Sequence, residues 1–375
     1  MQKNRLNLVG HPYIPIGMGE HIRTTYRALR SVAQAATLTD IFGFTEATSE
    51  DHAEFSAICR QEAGDINVYH INGNEVEQSL AHLQPKRGWS GYNVIYPLWE
   101  LPRYPEIWAK QLDRFDEIWA PSKYIFEALK SACKKPVFHM PMACEVKVSQ
   151  FFSRRYFNIP ETAYAFLFFY DLRSFTSRKN PHAVIDAFRS TLAARPYSSA
   201  HLVIKVNGAD MKPDEYQALK NELHEFGAHV TLIDRVMTST EVKNLTRCAD
   251  CFVSLHRSEG FGFGIAEAMV LGKPVIGTAY SGNMDFMNPK VSYAIDYQLI
   301  PVKEGEYPHY ENQMWADPEV AQASRYMIAL LDSPNEGRAL GQAAKRHMQN
   351  DFSYRKIGLN YVQRLDTIFA TLKEC

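Results

Sequence analysis

Between Leu6 and Thr278, short apolar runs alternate with helix-length stretches, and the alternation restarts near residue 160. The first series predicts strands over 6–10, 94–96, 117–120 and 137–140, with helices over 20–36 and 123–134. The second predicts strands over 164–170, 201–206, 230–233, 251–255 and 274–278. Helices over 181–194 and 214–226 join its first members, and another lies between the last two strands. Strand, helix, strand repetition calls for parallel sheets covered by helices on both faces, because parallel neighbours need long crossovers. The restart implies an α/β chain of two facing Rossmann-like domains, residues 1–155 and 156–352. A last helical pattern, 353–375, lies too far along the chain to belong obviously to the second sheet, and is expected to cross back to the first domain.

A length of 375 residues fits two domains. Apolar residues at 46% and charged residues at 22% exclude a largely disordered chain. Forty-one Lys and Arg against 42 Asp and Glu leave a net charge of -1, which argues against a nucleic-acid binder. The six cysteines are too few and scattered for a disulfide framework, and Cys248 with Cys251 is half a zinc site without a second pair. Met1 to Gly10 contains no cleavable hydrophobic segment. The longest apolar run, Ala163 to Tyr170, is far short of the ~20 residues that span a bilayer. A cytoplasmic protein is therefore expected.

The segment His256 to Met269 follows a predicted strand and opens a helix that ends at Gly272, before Pro274. Gly260, Gly262 and Gly264 let the backbone approach a ligand and leave amides free at a helix N-terminus, a place suited to phosphate or a polar sugar. In open parallel sheets ligands bind at this end of the strands. Glu259 and Glu267 stand eight positions apart in the same segment. A second polar loop, 169–181, carries Arg173, Arg178 and Lys179, and three cations in one strand-to-helix loop favour a polyanion.

Glu259 and Glu267 match the Glu-x7-Glu signature of retaining GT-B glycosyltransferases, and Ala268 to Ile276 is similar to the segment that continues it. Ser281 to Met287 and Asp116 to Ser122 resemble further segments of glycosyltransferase family 4 (glycosyl transferases group 1), of the bacterial surface-polysaccharide type. The resemblance runs from about Gly10 to Trp315. It implies that Glu259 contacts donor-sugar hydroxyls, that Glu267 holds the ribose, and that Gly260, Phe261 and Gly262 approach the sugar and diphosphate. Lys179 resembles the lysine that clamps the diphosphate, and Arg173 the arginine before it, with Arg178 as the rival second cation. Gly17 and Gly19 match the GxGE loop of the first domain, which approaches donor phosphates and acceptor. Arg235 falls where the nucleotide base is expected. Many relatives carry a histidine where this chain has Trp99-Glu100. Glu100, Trp99 and Arg23 are the acceptor-side candidates, with His70 and His139 as possible substitutes.

The implied activity is retaining, metal-independent hexosyl transfer from a nucleotide sugar, GDP-mannose ahead of a UDP-sugar, with no prosthetic group. The acceptor would be a saccharide or lipid-linked oligosaccharide in O-antigen, capsule or exopolysaccharide synthesis. The chain contains no Asp-x-Asp pair to chelate a divalent ion. Lys123, Lys130, Lys134 and Lys135 beside Trp119, Tyr124, Ile125 and Phe126 could form a basic amphipathic surface at the inner face of the plasma membrane. A helix with its apolar side in the core and its lysines in water is the stronger reading of the same residues. A nucleotide-sugar epimerase, a sugar phosphorylase and a non-catalytic sugar-nucleotide-binding subunit are the alternatives.

Overall fold

The computed structural model describes residues 5–14, 16–41 and 54–374. It divides into two compact units. Unit 1 comprises residues 1–145 and 350–375, and unit 2 residues 146–349.

Unit 1 is built on a six-stranded parallel sheet. Its strands are β1 (Leu6–Gly10), β2 (Thr37–Asp40), β3 (Ile66–Tyr69), β4 (Tyr92–Ile95), β5 (Glu117–Ala120) and β6 (Val137–His139), in the order β2-β1-β3-β4-β5-β6. β1, β3 and β5 are buried along their whole length, as expected of strands covered on both faces. The helix Lys123–Ala132 starts where the Ser122 side chain accepts the Ile125 amide, and buries Ile125, Ala128 and Leu129. Its apolar stripe therefore faces the core of the unit. The last helix, Tyr354–Glu374, packs along the helix Gly17–Ser31, so closely at Gly358 that a Cβ there would overlap the Ala28 carbonyl.

Unit 2 repeats the plan with β7 (Tyr164–Asp171), β8 (Ala200–Asn207), β9 (Val230–Ile233), β10 (Cys251–Ser254), β11 (Val275–Thr278) and β12 (Tyr293–Ile295), in the order β12-β11-β10-β7-β8-β9. One face of its core gathers Phe166, Phe168, Val184, Phe188, Leu202, Ile204, Val253 and Ile276. Residues around 150–155 belong wholly to this unit: Arg154 pairs with Asp250 at 2.6 Å, and the Phe152 amide donates to Asn244. Beyond β12 the chain forms an antiparallel hairpin, β13 (Tyr297–Pro301) and β14 (Met314–Pro318).

Several elements lack the sequence pattern that marks the others. β2 offers one buried leucine among polar residues, and the helix Val76–Arg87 has scattered apolar positions with Pro85 inside. β13 is almost wholly exposed, so no alternation marks it. The first helix spans Gly17–Ser31, because Ala33 takes a left-handed φ of 60° that ends it before residue 36. Cys251 lies buried in β10, and the Cys248 thiol donates to the Phe152 carbonyl at 3.2 Å. Among the described residues no group of three or more His, Cys, Asp or Glu could hold a metal ion, and no helix is long and apolar enough to cross a membrane.

Candidate active site

Three loops at the carboxyl ends of β7, β10 and β11 meet in unit 2. The β10 loop carries Glu259 into the helix Phe263–Val270, whose N-terminus is turned by Gly262 at φ 93°. The β11 loop supports it from the side. The Ser281 hydroxyl accepts the Glu259 amide at 2.8 Å, and the Gly282 amide donates to the Glu259 carbonyl at 2.9 Å. A Cβ on Gly282 would overlap the Gly260 carbonyl, so only glycine lets the two loops touch. Ser281 itself sits at φ 74°, a conformation that costs a non-glycine residue energy and marks a constrained site.

Beneath these loops lies His256, fully buried and held neutral by that burial. Asn283 spends its amide N–H on the Thr278 carbonyl at 2.9 Å, so its oxygen must accept from His256 Nε2, also at 2.9 Å. The imidazole Nδ1 then accepts the Ser254 hydroxyl at 3.0 Å. Sequence reasoning assigned no role to His256, Ser281 or Asn283, because their contribution is to hold other groups.

The β7 loop brings the cations. Lys179 Nζ is paired with Glu259 Oε1, and Arg178 approaches Glu259 Oε2 at 3.3 Å. Burial alone would raise the Glu259 pKa, but the charges of Lys179 and then Arg178 outweigh it and bring the group down to about 2. The two cations differ in setting. Arg178 is 6% exposed and donates to the Ser258 and Ser174 carbonyls at 3.0 and 3.3 Å, so it buttresses the loop. Lys179 is 20% exposed and is the cation of the pair that can meet a ligand.

Arg173 is placed elsewhere. It forms a fork with Asp171 at 2.9 and 2.6 Å, leaning against Gly208 at the end of β8. Behind this pair lies Lys205, a buried lysine whose pKa burial lowers to about 8 despite Asp171, with its ammonium on Asn207. Arg235 is bound to Glu241 at 2.6 Å and stacked over Tyr156, 5.2 Å from the ring centroid. Glu267 is half-buried on the helix Phe263–Val270, and Phe261 is a core side chain packed between Phe263 and Phe286.

In unit 1, Gly19 lies where a Cβ would overlap the Ile14 carbonyl, whereas one on Gly17 would meet nothing. Arg23 is buried, donating to the Pro12 and Ile14 carbonyls at 3.0 Å and to Glu20, so it fastens the β1 loop. The Trp99 indole is 2% exposed, bonded to the Arg103 carbonyl and caged by Tyr104 and Trp108. Glu100 is half-buried beside it. His70 is fully buried against His21, their ring centroids 4.6 Å apart, and His139 is half-buried at the end of β6.

Chemically, unit 2 offers a partly open ammonium, an ionised carboxylate with its oxygens fixed, and a glycine turn opening a helix, all at one strand edge. That set can hold an anion and a polyhydroxyl group side by side. The family model described as glycosyl transferases group 1 matches residues 151–347. A trehalose synthase from Pyrococcus horikoshii is 27% identical over 128 residues, which is 34% of this chain and 26% of that enzyme. The match thus spans about a quarter of that relative. Among solved structures, Anabaena Alr3699/HepE, in complex with UDP and glucose, superposes with a TM-score of 0.70 at 12% identity, covering 97% of this chain and 99% of that one. A glycosyltransferase from Rickettsia africae gives 0.70 at 12% identity over 98% and 99% of the two chains. Sucrose-phosphate synthase from Thermosynechococcus elongatus gives 0.67 at 14% identity over 98% and 100%. At these identities the likeness establishes the GT-B fold.

Proposed function

The chain belongs to the glycosyl transferases group 1 family, and from that premise we propose that it moves a hexose from a nucleoside-diphosphate sugar to a saccharide acceptor with retention of configuration. The observation that carries this reading is the Lys179, Glu259 and Arg178 cluster beside the glycine turn of the helix Phe263–Val270.

Negative charge grows on the diphosphate as the glycosidic bond breaks, and a fixed cation with free amides stabilises it without reorganisation. Lys179 is suited to that task, with Arg178 behind it holding the loop and Arg173 as the further candidate cation. Glu259, kept ionised at neutral pH, accepts hydrogen bonds from sugar hydroxyls, and Glu267 from the ribose. No carboxylate is needed as nucleophile on this route. The acceptor hydroxyl attacks from the side the diphosphate leaves, and its proton passes to the departing phosphate oxygen. Positioning and charge are then the protein's contribution, and the cations do what a divalent metal does elsewhere.

Two donors are to be compared. GDP-mannose follows from the surface-polysaccharide resemblance, and UDP-glucose from the uridine nucleotide and glucose that the Anabaena protein carries. A lipid-linked oligosaccharide at the inner membrane face is the acceptor this reading favours in the cell. The test incubates the protein with each donor and a panel of mono- and oligosaccharide acceptors. Nucleoside diphosphate release and glycoside formation are followed by mass spectrometry, and anomeric configuration by NMR. The expected result is a retained glycoside, unaffected by EDTA, with Glu259→Ala and Lys179→Ala each lowering transfer about a hundredfold. Undiminished transfer by both variants overturns the assignment. Sugar release that requires inorganic phosphate points to a phosphorylase, and donor binding without turnover to a binding subunit.

A further inference from the structure

The hairpin β13–β14 touches all three site loops through side chains that have no part in the proposed chemistry. Arg257 is the centre of these contacts. Its amide donates to the Arg178 carbonyl at 2.8 Å, and its own carbonyl accepts the Ala316 amide of β14 at 3.0 Å. Its guanidinium donates to the Ser177 carbonyl at 3.2 Å and to Asp317 at 3.4 Å, and lies 5.5 Å from the centroid of the Trp315 ring. Trp315 is fully buried and in edge contact with Tyr307. Tyr307 in turn packs on Phe175 at 4.8 Å. Phe175 is the residue at which the β7 loop turns, with φ 62° and ψ 94°, outside the conformations a phenylalanine prefers. Tyr297 of β13 meets Tyr280 of the β11 loop at 5.0 Å.

We propose that Arg257, clamped by the hairpin β13–β14, is a positioning residue for the transfer reaction: it fixes Lys179 against Glu259 by tying the β7 loop to the β10 loop. The inference rests on the reading of Lys179 and Glu259 given above. The two groups come from loops that are separated by the whole of β8, β9 and their helices in sequence, and Arg257 bonds the backbone of the two residues that flank Lys179 on its N-terminal side. Its fork uses one nitrogen for Ser177 and the other for Asp317, which a lysine cannot reproduce. Without the fork the β7 loop loses the side-chain bond at Ser177 that ties it to the hairpin, and Lys179 can leave the place where it meets the diphosphate. Small displacements of that kind lower the rate more than the affinity, because charge stabilisation is steepest in the transition state.

The test compares Arg257→Met, Arg257→Lys and Asp317→Asn with the unaltered chain in steady-state transfer, using whichever of UDP-glucose and GDP-mannose the latter turns over. Thermal unfolding is recorded in parallel. The expected result is a kcat lowered at least about tenfold in Arg257→Met, with donor KM within about twofold and a melting midpoint within a few degrees. Arg257→Lys and Asp317→Asn should fall between the two. Wild-type kcat in Arg257→Met, or a loss explained by its unfolded fraction, overturns the proposal. Should Arg257→Met not fold, the same kcat and KM split in Asp317→Asn decides, and an unchanged kcat there overturns the proposal too. A chain that transfers from neither donor, before any substitution, refutes the transferase reading instead.

Discussion

His21 and His70 carry no charge in the folded protein, because burial leaves an imidazolium nothing to replace its water. All four ring nitrogens are buried without a protein hydrogen-bond partner among the described residues. Burial lowers the His21 pKa from 6.5 to about 3, and burial followed by repulsion from His21 holds His70 well below its usual range. In the unfolded chain both take up a proton as pH falls below about 6.5, whereas in the fold both stay neutral. The unfolded state therefore binds more protons, and the stability these groups contribute is complete above pH 6.5 and lost as pH falls toward the folded values. The loss approaches about 1.4 kcal/mol per pH unit for each histidine. Thermal unfolding from pH 7.5 to 5 is expected to show a falling midpoint for unit 1, with a shallower slope in His21→Leu. A pH-independent midpoint would contradict the assignment. At the same scale, Glu259 and Lys179 are legible in the sequence, since each sits in a segment with a recognisable pattern. Which arginine accompanies them is not. Arg173 and Arg178 lie in one polar loop, and only the left-handed turn at Phe175 sends the first to Asp171 and the second to Glu259.

Elements buried on both faces could be read from their apolar runs, as with β1, β5, β7 and β10. Those whose stability comes from a neighbour could not. The hairpin β13–β14 is held by Trp315, Ala316 and Asp317 against Arg257, and its exposed strand has no periodicity of its own. A loop's glycines are a middle case, for the sequence shows them without showing which are obligatory. Gly17 and Gly19 form one motif, yet a Cβ on Gly17 meets open space and one on Gly19 meets the Ile14 carbonyl, which Arg23 also holds. Gly19→Ala must move backbone rather than a flexible side chain, and should lower the stability of unit 1 by about 1–3 kcal/mol. Gly17→Ala, at the first position of a helix, should be neutral or stabilising by a few tenths of a kcal/mol. Urea titration of the two variants checks this, and equal midpoints would show that the β1 loop relaxes freely.

At the scale of the molecule, the chain leaves unit 1 after Glu145 and returns to it at Asn350. Unit 1 is thus completed by a segment that follows unit 2 in the chain. The Cys144 amide donates to the Phe352 carbonyl at 2.9 Å, and Glu145 accepts the Tyr354 amide at 2.7 Å. Tyr361 stacks on Trp119 with centroids 5.7 Å apart and donates to the Pro141 carbonyl at 3.0 Å. The decisive contact is ionic. The Glu117 side chain is 0% exposed, receives Trp119 Nε1 at 2.6 Å and the Tyr92 hydroxyl at 3.0 Å, and is paired with Arg364. Arg364 comes from the last helix and also covers the Phe138 ring at 3.6 Å. The segment Asp116 to Ser122, legible as a motif, is therefore an anchoring strand and helix cap whose partner lies at the other end of the chain. Removing one member of a buried pair leaves the other charged and unsolvated, which costs about 3–5 kcal/mol. The two neutral donors that remain on Glu117 place Arg364→Met at the lower end of that range. All five tryptophans except Trp315 lie in unit 1, so fluorescence follows this unit and calorimetry follows both. Arg364→Met should bring the fluorescence transition to lower urea while the calorimetric transition of unit 2 stays in place. Adding Glu117→Gln should recover part of the loss, since the buried charge is then gone. If Arg364→Met unfolds with the wild-type midpoint, the pair is not what closes unit 1. If both units shift together, the returning helix stabilises the whole chain rather than the unit it completes.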